Sequence, residues 1–176
     1  MQKKAFTLIE LLIVVIIIGV VYTLALNKLH QVSDPSQKLS LQTLKLFLSS
    51  LEFQKEVKVR CFDDCSSCSV YVDTKVDKAL SKKFDDFIDD TIKVYRYEYL
   101  SGMQEITPEV FFNTQGMQES ICFSYGIDTK GIGDQVIVEY KDKVYDFTPF
   151  TKEPKVYEQL DDVITSKEKE YQEVLR

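Results

Sequence analysis

Five side chains of this 176-residue chain have types and spacing that could do chemistry: four cysteines and one isolated acid. Three cysteines fall within "CFDDCSSC" as Cys61, Cys65 and Cys68, and Cys122 lies far downstream. Four thiolates can bind structural zinc tetrahedrally, whereas an even count in an oxidising compartment forms disulfides. All three pairings are open in principle. If two bonds form, one must return from Cys122 to the cluster. It would close a loop of about 55 residues, worth on the order of 4 kcal/mol by chain entropy. The C-x3-C-x2-C spacing also suits a redox iron–sulfur cluster, but that chemistry needs reducing conditions and a large α/β scaffold. A thioredoxin-like role for Cys65 and Cys68 lacks a helix placed to depress a thiol pKa.

The remaining candidates have simpler explanations. His30, the single histidine, follows an apolar segment and reads as a solvated helix residue. The pairs Asp63-Asp64, Asp85-Asp86, Asp89-Asp90 and Asp161-Asp162 do not have EF-hand spacing and read as turns and solvated faces. "GIDTKGIGD" (126–134) has no Lys-Ser/Thr of a phosphate loop, so a turn between strands suffices. No catalytic residue, metal site or cofactor is expected, and the chain reads as a non-enzyme.

The isolated acid is Glu10, in "MQKKAFTLIELLIVVIIIGVVYTLAL". The apolar run from Phe6 to Leu26 covers about 21 residues, close to the ~20 that span a bilayer core as a helix. No charge lies between Leu11 and Leu26, and no A-x-A cleavage site follows. Lys3 and Lys4 hold the N-terminal end in the cytoplasm, which places the later domain across the inner membrane. Glu10 lies one helical turn inside the membrane boundary, so its carboxylate either snorkels to the interface or takes a partner that offsets its desolvation. A cut between Ala5 and Phe6 would leave an α-amino group four residues from it. Pairing with that ammonium on a neighbouring copy would fix the axial register of a helical stack.

"KKAFTLIELLIVVIIIGV" resembles the class III signal of type IV pilins and type II secretion pseudopilins. The resemblance implies that a prepilin peptidase cuts after Ala5 and methylates the new N-terminal Phe6. It also implies that Glu10, the fifth mature residue, serves assembly. Thr7, Leu8, Ile9, Leu11 and Leu12 match the motif too, while Ala5 stands where the family usually has Gly. The resemblance is dense from Lys3 to about Val21. "FNTQG" (112–116), followed by strands, loosely resembles the H-type minor pseudopilins.

From Asn27 onward, 20 Lys+Arg face 27 Asp+Glu, a net of −7. Phosphate backbones are repelled by such a surface, so no direct nucleic-acid binding is expected. Removing Lys3 and Lys4 with the leader takes the whole chain from −6 to −8.

The elements that would carry these residues follow from periodicity. Asp34-Pro35 is the first strong breaker, so a long helix is expected to kink or break there. Beyond it, Leu39, Leu44, Phe47, Leu48 and Leu51 recur at helical spacing. Val57, Val59 and Cys61 alternate as a strand, and Val70 to Val72 form another. Val76, Leu80, Phe84, Phe87 and Ile88 suggest a short amphipathic helix. "TIKVYRYEYL" (91–100) and "SICFSY" (120–125) read as strands, the latter facing inward with Ile121, Phe123 and Tyr125. "QVIVEYKDKVYDF" (135–147) reads as a hairpin turning at Lys141-Asp142. A last helix is expected from about Pro154, with Val156, Leu160, Ile164 and Tyr171 on one stripe.

The fold class is therefore α+β and pilin-like: a long N-terminal helix on an antiparallel sheet, with a C-terminal helix. The expected organisation is a leader at 1–5, a transmembrane and assembly helix at 6–26, its periplasmic continuation at 27–56, and a head at 57–176. The resemblance implies a structural subunit of a secretion or DNA-uptake pseudopilus, with other pilin-like subunits, the prepilin peptidase and an inner-membrane platform protein as partners. The acidic, cysteine-bearing head with its extra terminal helix suits a minor subunit better than the bulk filament. A surface pilus, or an anchored periplasmic binding module that never polymerises, are the alternatives.

Overall fold

The structure, a computed structural model, describes residues 9, 11–19, 39–112 and 116–174. Ala5, Phe6, Glu10, His30, Pro35 and the middle of "FNTQG" lie outside the described residues. The chain divides into two compact units, Met1–Lys38 and Leu39–Arg176.

In the larger unit, helix α1 (Leu41–Ser49) begins afresh. Ser40 is extended (φ −145°, ψ 164°), and its hydroxyl accepts from the Thr43 amide in a reciprocal capping box. The helix stops at Ser49, short of the 56 expected, and β1 begins at Glu56. Leu41, Leu44 and Leu48 are buried along one face, and Phe47 meets Phe84 edge-on at 5.7 Å. Lys45 lies on the buried side as well. Its Nζ donates to the carbonyls of Pro149 (2.7 Å) and Thr148 (3.2 Å). Desolvation lowers its pKa from the usual lysine value.

Ten strands form two antiparallel sheets where the sequence suggested one. The first contains β1 (Glu56–Phe62), β2 (Ser67–Val72), β3 (Lys75–Asp77), β6 (Glu109–Phe112) and β7 (Gln118–Asp128), in the order β3-β2-β1-β7-β6. The second contains β4 (Lys93–Glu98), β5 (Gly102–Glu105), β8 (Val136–Tyr140), β9 (Lys143–Phe147) and β10 (Lys155–Tyr157), in the order β10-β9-β8-β4-β5. The main core draws on both sheets and α1, with Val57, Val59, Val70, Phe84, Tyr125, Val138 and Phe147 all fully buried. A smaller cluster of Tyr95, Ile137, Val144 and Val163 lies between the second sheet and helix α3 (Leu160–Val174).

Two sequence expectations change in detail. Of the apolar set from Val76 to Ile88, Phe84 and Ile88 are buried and Leu80 and Phe87 half-buried, but Val76 is exposed and the set does not form one helix. Val76 pairs with Tyr71 in β3, and Asp77 caps a four-residue helix α2 (Lys78–Ser81) that tightens into a 3-10 turn at Lys82–Phe84. Asp86 then takes a left-handed φ of 56°, which ends any helical run.

The last helix starts at Leu160, not near Pro154, because Lys155–Tyr157 pairs with β9. Its buried stripe is Val163 and Lys167, flanked by half-buried Leu160 and Ile164. Lys167 had no place in an apolar pattern, yet its ammonium sits 2.6 Å from Asp146 with both side chains shielded from water.

Among the described residues, the Lys167 ammonium is the charge that compensates this buried carboxylate. Lys167→Met should therefore cost about 3–5 kcal/mol, because it strands a buried carboxylate. Adding Asp146→Asn should recover part of that loss. Urea unfolding of the two variants checks both, and a neutral single variant would remove this pair from the account of how α3 is held.

Candidate functional site

In the N-terminal unit, residues 11–19 are helical. From Leu11 to Ile18 every residue is apolar, so the helix has no polar face. Each of these side chains is exposed, from 46% at Val14 to 62% at Leu11. A helix apolar on all sides needs cover from lipid or from other protein. Among the described residues no helix is long and apolar enough to cross a membrane.

The cysteines come together around the β1–β2 hairpin. Cys61 and Cys68 face each other in the antiparallel register and are disulfide-bonded, with Cα atoms 4.0 Å apart. Cys65, in the hairpin loop, bonds to Cys122 on β7 across a Cα separation of 5.9 Å. The backbone prepares this second bond in two ways. The β1–β7 register shifts between Cys61 and Phe62: Cys61 pairs with Phe123 and Phe62 with Ile121, which leaves Cys122 without a register partner. The loop turns back because Asp63 and Cys65 both take positive φ (51° and 64°), with the Cys65 amide donating to the Phe62 carbonyl. Cys61, Cys65 and Cys68 are buried, so their sulfurs are structural and shielded.

The acidic pairs serve turns. Asp63 accepts from the Ser120 amide, and Asp64 from the Ser66 amide and hydroxyl. Asp89 binds the Thr91 amide at 3.0 Å and the Tyr140 hydroxyl at 2.9 Å, while Asp161 and Asp162 occupy the first turn of α3. Within "GIDTKGIGD", Asp128 accepts from the amides of Lys130 and Ile132, and Asp134 from that of Gly126.

Asp73, which the sequence did not single out, accepts from the amides of Gln54, Lys55 and Glu56. It therefore fastens the start of β1 to the β2–β3 turn. The hydrogen bonds from Gln54 and Lys55 hold its carboxyl below the usual carboxylate range.

The family model of the prokaryotic N-terminal methylation motif matches residues 1–26. No curated protein and no solved structure matches the chain. The segment thus carries a class III prepilin signal, the processing signal of type IV pilin-like proteins. A signal of this kind points to a membrane-anchored structural subunit that is processed by a prepilin peptidase and assembles with other pilins.

Two outcomes follow from the head's geometry. Loop length separates the disulfides: 57 residues separate Cys65 from Cys122, and 7 separate Cys61 from Cys68. Replacing the long-range pair with serines should cost about 4 kcal/mol, and the hairpin pair about 2.5 kcal/mol. Denaturant unfolding of the two double variants would show a reversed order if native packing outweighed chain entropy. For Asp73 the folded pKa is depressed, so its stabilisation is present above the unfolded carboxylate pKa and fades as pH falls through the lower folded value. Asp73→Ala should therefore lower the melting temperature at neutral pH, with the gap to wild type closing in strong acid.

Proposed function

We propose that this chain is a non-enzymatic subunit of a type IV filament machine. It enters the inner membrane as a precursor, is cut between Ala5 and Phe6, and is methylated on Phe6. Residues 6–26 serve first as membrane anchor and then as assembly helix, with the head in the periplasm. In that role Glu10 pairs with the Phe6 ammonium of an adjacent subunit, and a platform protein and a cytoplasmic ATPase supply the force. The observation that carries this reading is the methylation motif over residues 1–26. The exposed apolar helix supports it, since such a surface needs lipid or neighbouring subunits.

The acidic, doubly disulfide-bonded head with its extra C-terminal helix suits a minor subunit of a secretion or DNA-uptake pseudopilus. A surface pilus remains the nearest alternative, followed by an anchor that never polymerises.

The test is the intact mass of the chain recovered from bacterial membranes, paired with cross-linking in living cells. A filament subunit loses its first five residues, gains one methyl group, and cross-links to pilin-like neighbours. Glu10→Val should still be cut yet lose those cross-links. An uncut chain, or a Glu10→Val variant that cross-links normally, would sink the assembly reading. Transformation frequency and secreted enzyme activity in a strain lacking the gene then assign the machine.

A further inference from the structure

The C-terminal helix and the second sheet part at one end, and what lines the opening has the chemistry of a binding site. Tyrosines recur at alternate positions along β4 and just past it, as Tyr95, Tyr97 and Tyr99, so all three project toward the face that α3 covers. Cover fades along the row. Tyr95 is buried, Tyr97 half-buried, and Tyr99 is 53% exposed. At the outer end Tyr99 stacks on Tyr171 of α3, with ring centroids 3.6 Å apart and planes inclined by 21°. Beside the stack lies an open cleft of 310 Å³ lined by Tyr97, Tyr99, Leu100, Glu168, Tyr171 and Gln172. Leu100, at the tip of the β4–β5 hairpin, is 95% exposed.

The lining decides what could sit there. None of the six residues is a cation, and among the described residues Glu168 has no ion-pair partner. Phosphate, sulfate and carboxylate ligands are therefore repelled, the more so by a chain of net charge −6. What remains attractive are three tyrosine rings, an aliphatic wall, a carboxylate that only accepts hydrogen bonds and a carboxamide that donates and accepts. Aromatic faces are the negative pole of the ring quadrupole and favour polarised C–H groups. A pyranose offers such C–H groups on its ring faces and hydroxyl donors around its rim. When the hydroxyls are equatorial and the linkage is β, both faces stay free for stacking.

We propose that this cleft binds an uncharged, β-linked, gluco-configured oligosaccharide. A sugar ring lies against Tyr99 and Leu100, its hydroxyls donate to Glu168, and Gln172 bridges two further hydroxyls. The proposal is independent of the filament reading, since it rests on the head alone. The competing account is that the stack merely staples the end of α3 to the sheet. In that case Gln172, which lines the cleft outside the stack, has no energetic role.

The experiment is isothermal titration of cellotetraose and chitotetraose into the full-length protein, held in a zwitterionic detergent that carries no sugar headgroup. Saturable binding is expected for the wild type. Tyr99→Ala should weaken it by at least about tenfold, and Gln172→Ala by about fivefold with an unchanged melting temperature. Because Gln172 is exposed on the helix surface, its substitution keeps the test valid even if Tyr99→Ala loosens α3. Absence of saturable binding at millimolar ligand would overturn the proposal. So would wild-type affinity in Gln172→Ala, or equal binding of sulfated cellotetraose.

Discussion

The passage from β7 to β8 is the joint on which the head depends. Here the chain leaves the first sheet and enters the second within a few residues, and the amides of Lys130, Gly131, Ile132, Gly133 and Asp134 all donate hydrogen bonds. Asp128 closes the turn by accepting two amides, and Asp134 reaches back to the Gly126 amide. The Gly133 amide donates to the Pro149 carbonyl, which also accepts from Lys45 on α1. One carbonyl thereby gathers the helix, the crossing and the end of β9. A side chain at Gly133 would bring its Cβ within 2.2 Å of the Tyr125 hydroxyl, so the close approach is available to glycine alone. That hydroxyl is buried with no hydrogen-bond partner among the described residues, and desolvation pushes its pKa up.

Around this joint the head is layered: α1 and the first sheet on one side of the core, the second sheet in the middle, and α3 beyond it. β8 shows the arrangement in a single strand. Val136 and Val138 face the main core while Ile137 faces α3, so alternate residues serve different clusters and the strand is buried on both sides. At the rim, Lys155 of β10 pairs with Glu170 of α3, and Lys143 of β9 pairs with Glu158 in the link between β10 and α3. The exposed pairs contribute little individually. The buried Asp146–Lys167 pair fixes which face of α3 turns inward.

Much of this was legible in the sequence, and the failures share a cause. The Lys141-Asp142 hairpin was readable because two residues between alternating runs leave few geometries, and both take the positive φ that such a turn needs (49° and 59°). The strand at 120–125 and its inward Phe123 and Tyr125 were readable from alternation, but Ile121, expected inward with them, lies beyond the register shift and is only half-buried, and β7 runs further in both directions. Lys45 and Lys167 were illegible because lysine in a helical pattern reads as solvent-facing, and only tertiary partners reveal a buried ammonium. The three-residue strands β3 and β10 were absorbed into neighbouring helices, since runs that short have no period of their own. The bulge that frees Cys122 is a matter of pairing between distant strands, so no local pattern announces it. For the processing segment the position is reversed. Ala5, Phe6 and Glu10 were marked by sequence, and they lie outside the described residues.

The pairing of β1 with β7 also imposes an order in time. β2 follows β1 directly, so their hairpin can close before β7 is in place, bringing Cys61 and Cys68 face to face. The other neighbour of β1 is far along the chain, since Val57 pairs with Ile127. Until β7 docks, one edge of β1 stands unpaired and Cys65 has only the two nearby cysteines within reach. A bond from Cys65 to either of them would then have to be undone by thiol exchange before β7 could dock. With Cys61 and Cys68 joined to each other, Cys122 is the one cysteine left for Cys65, so a closed hairpin bond guards the long-range one.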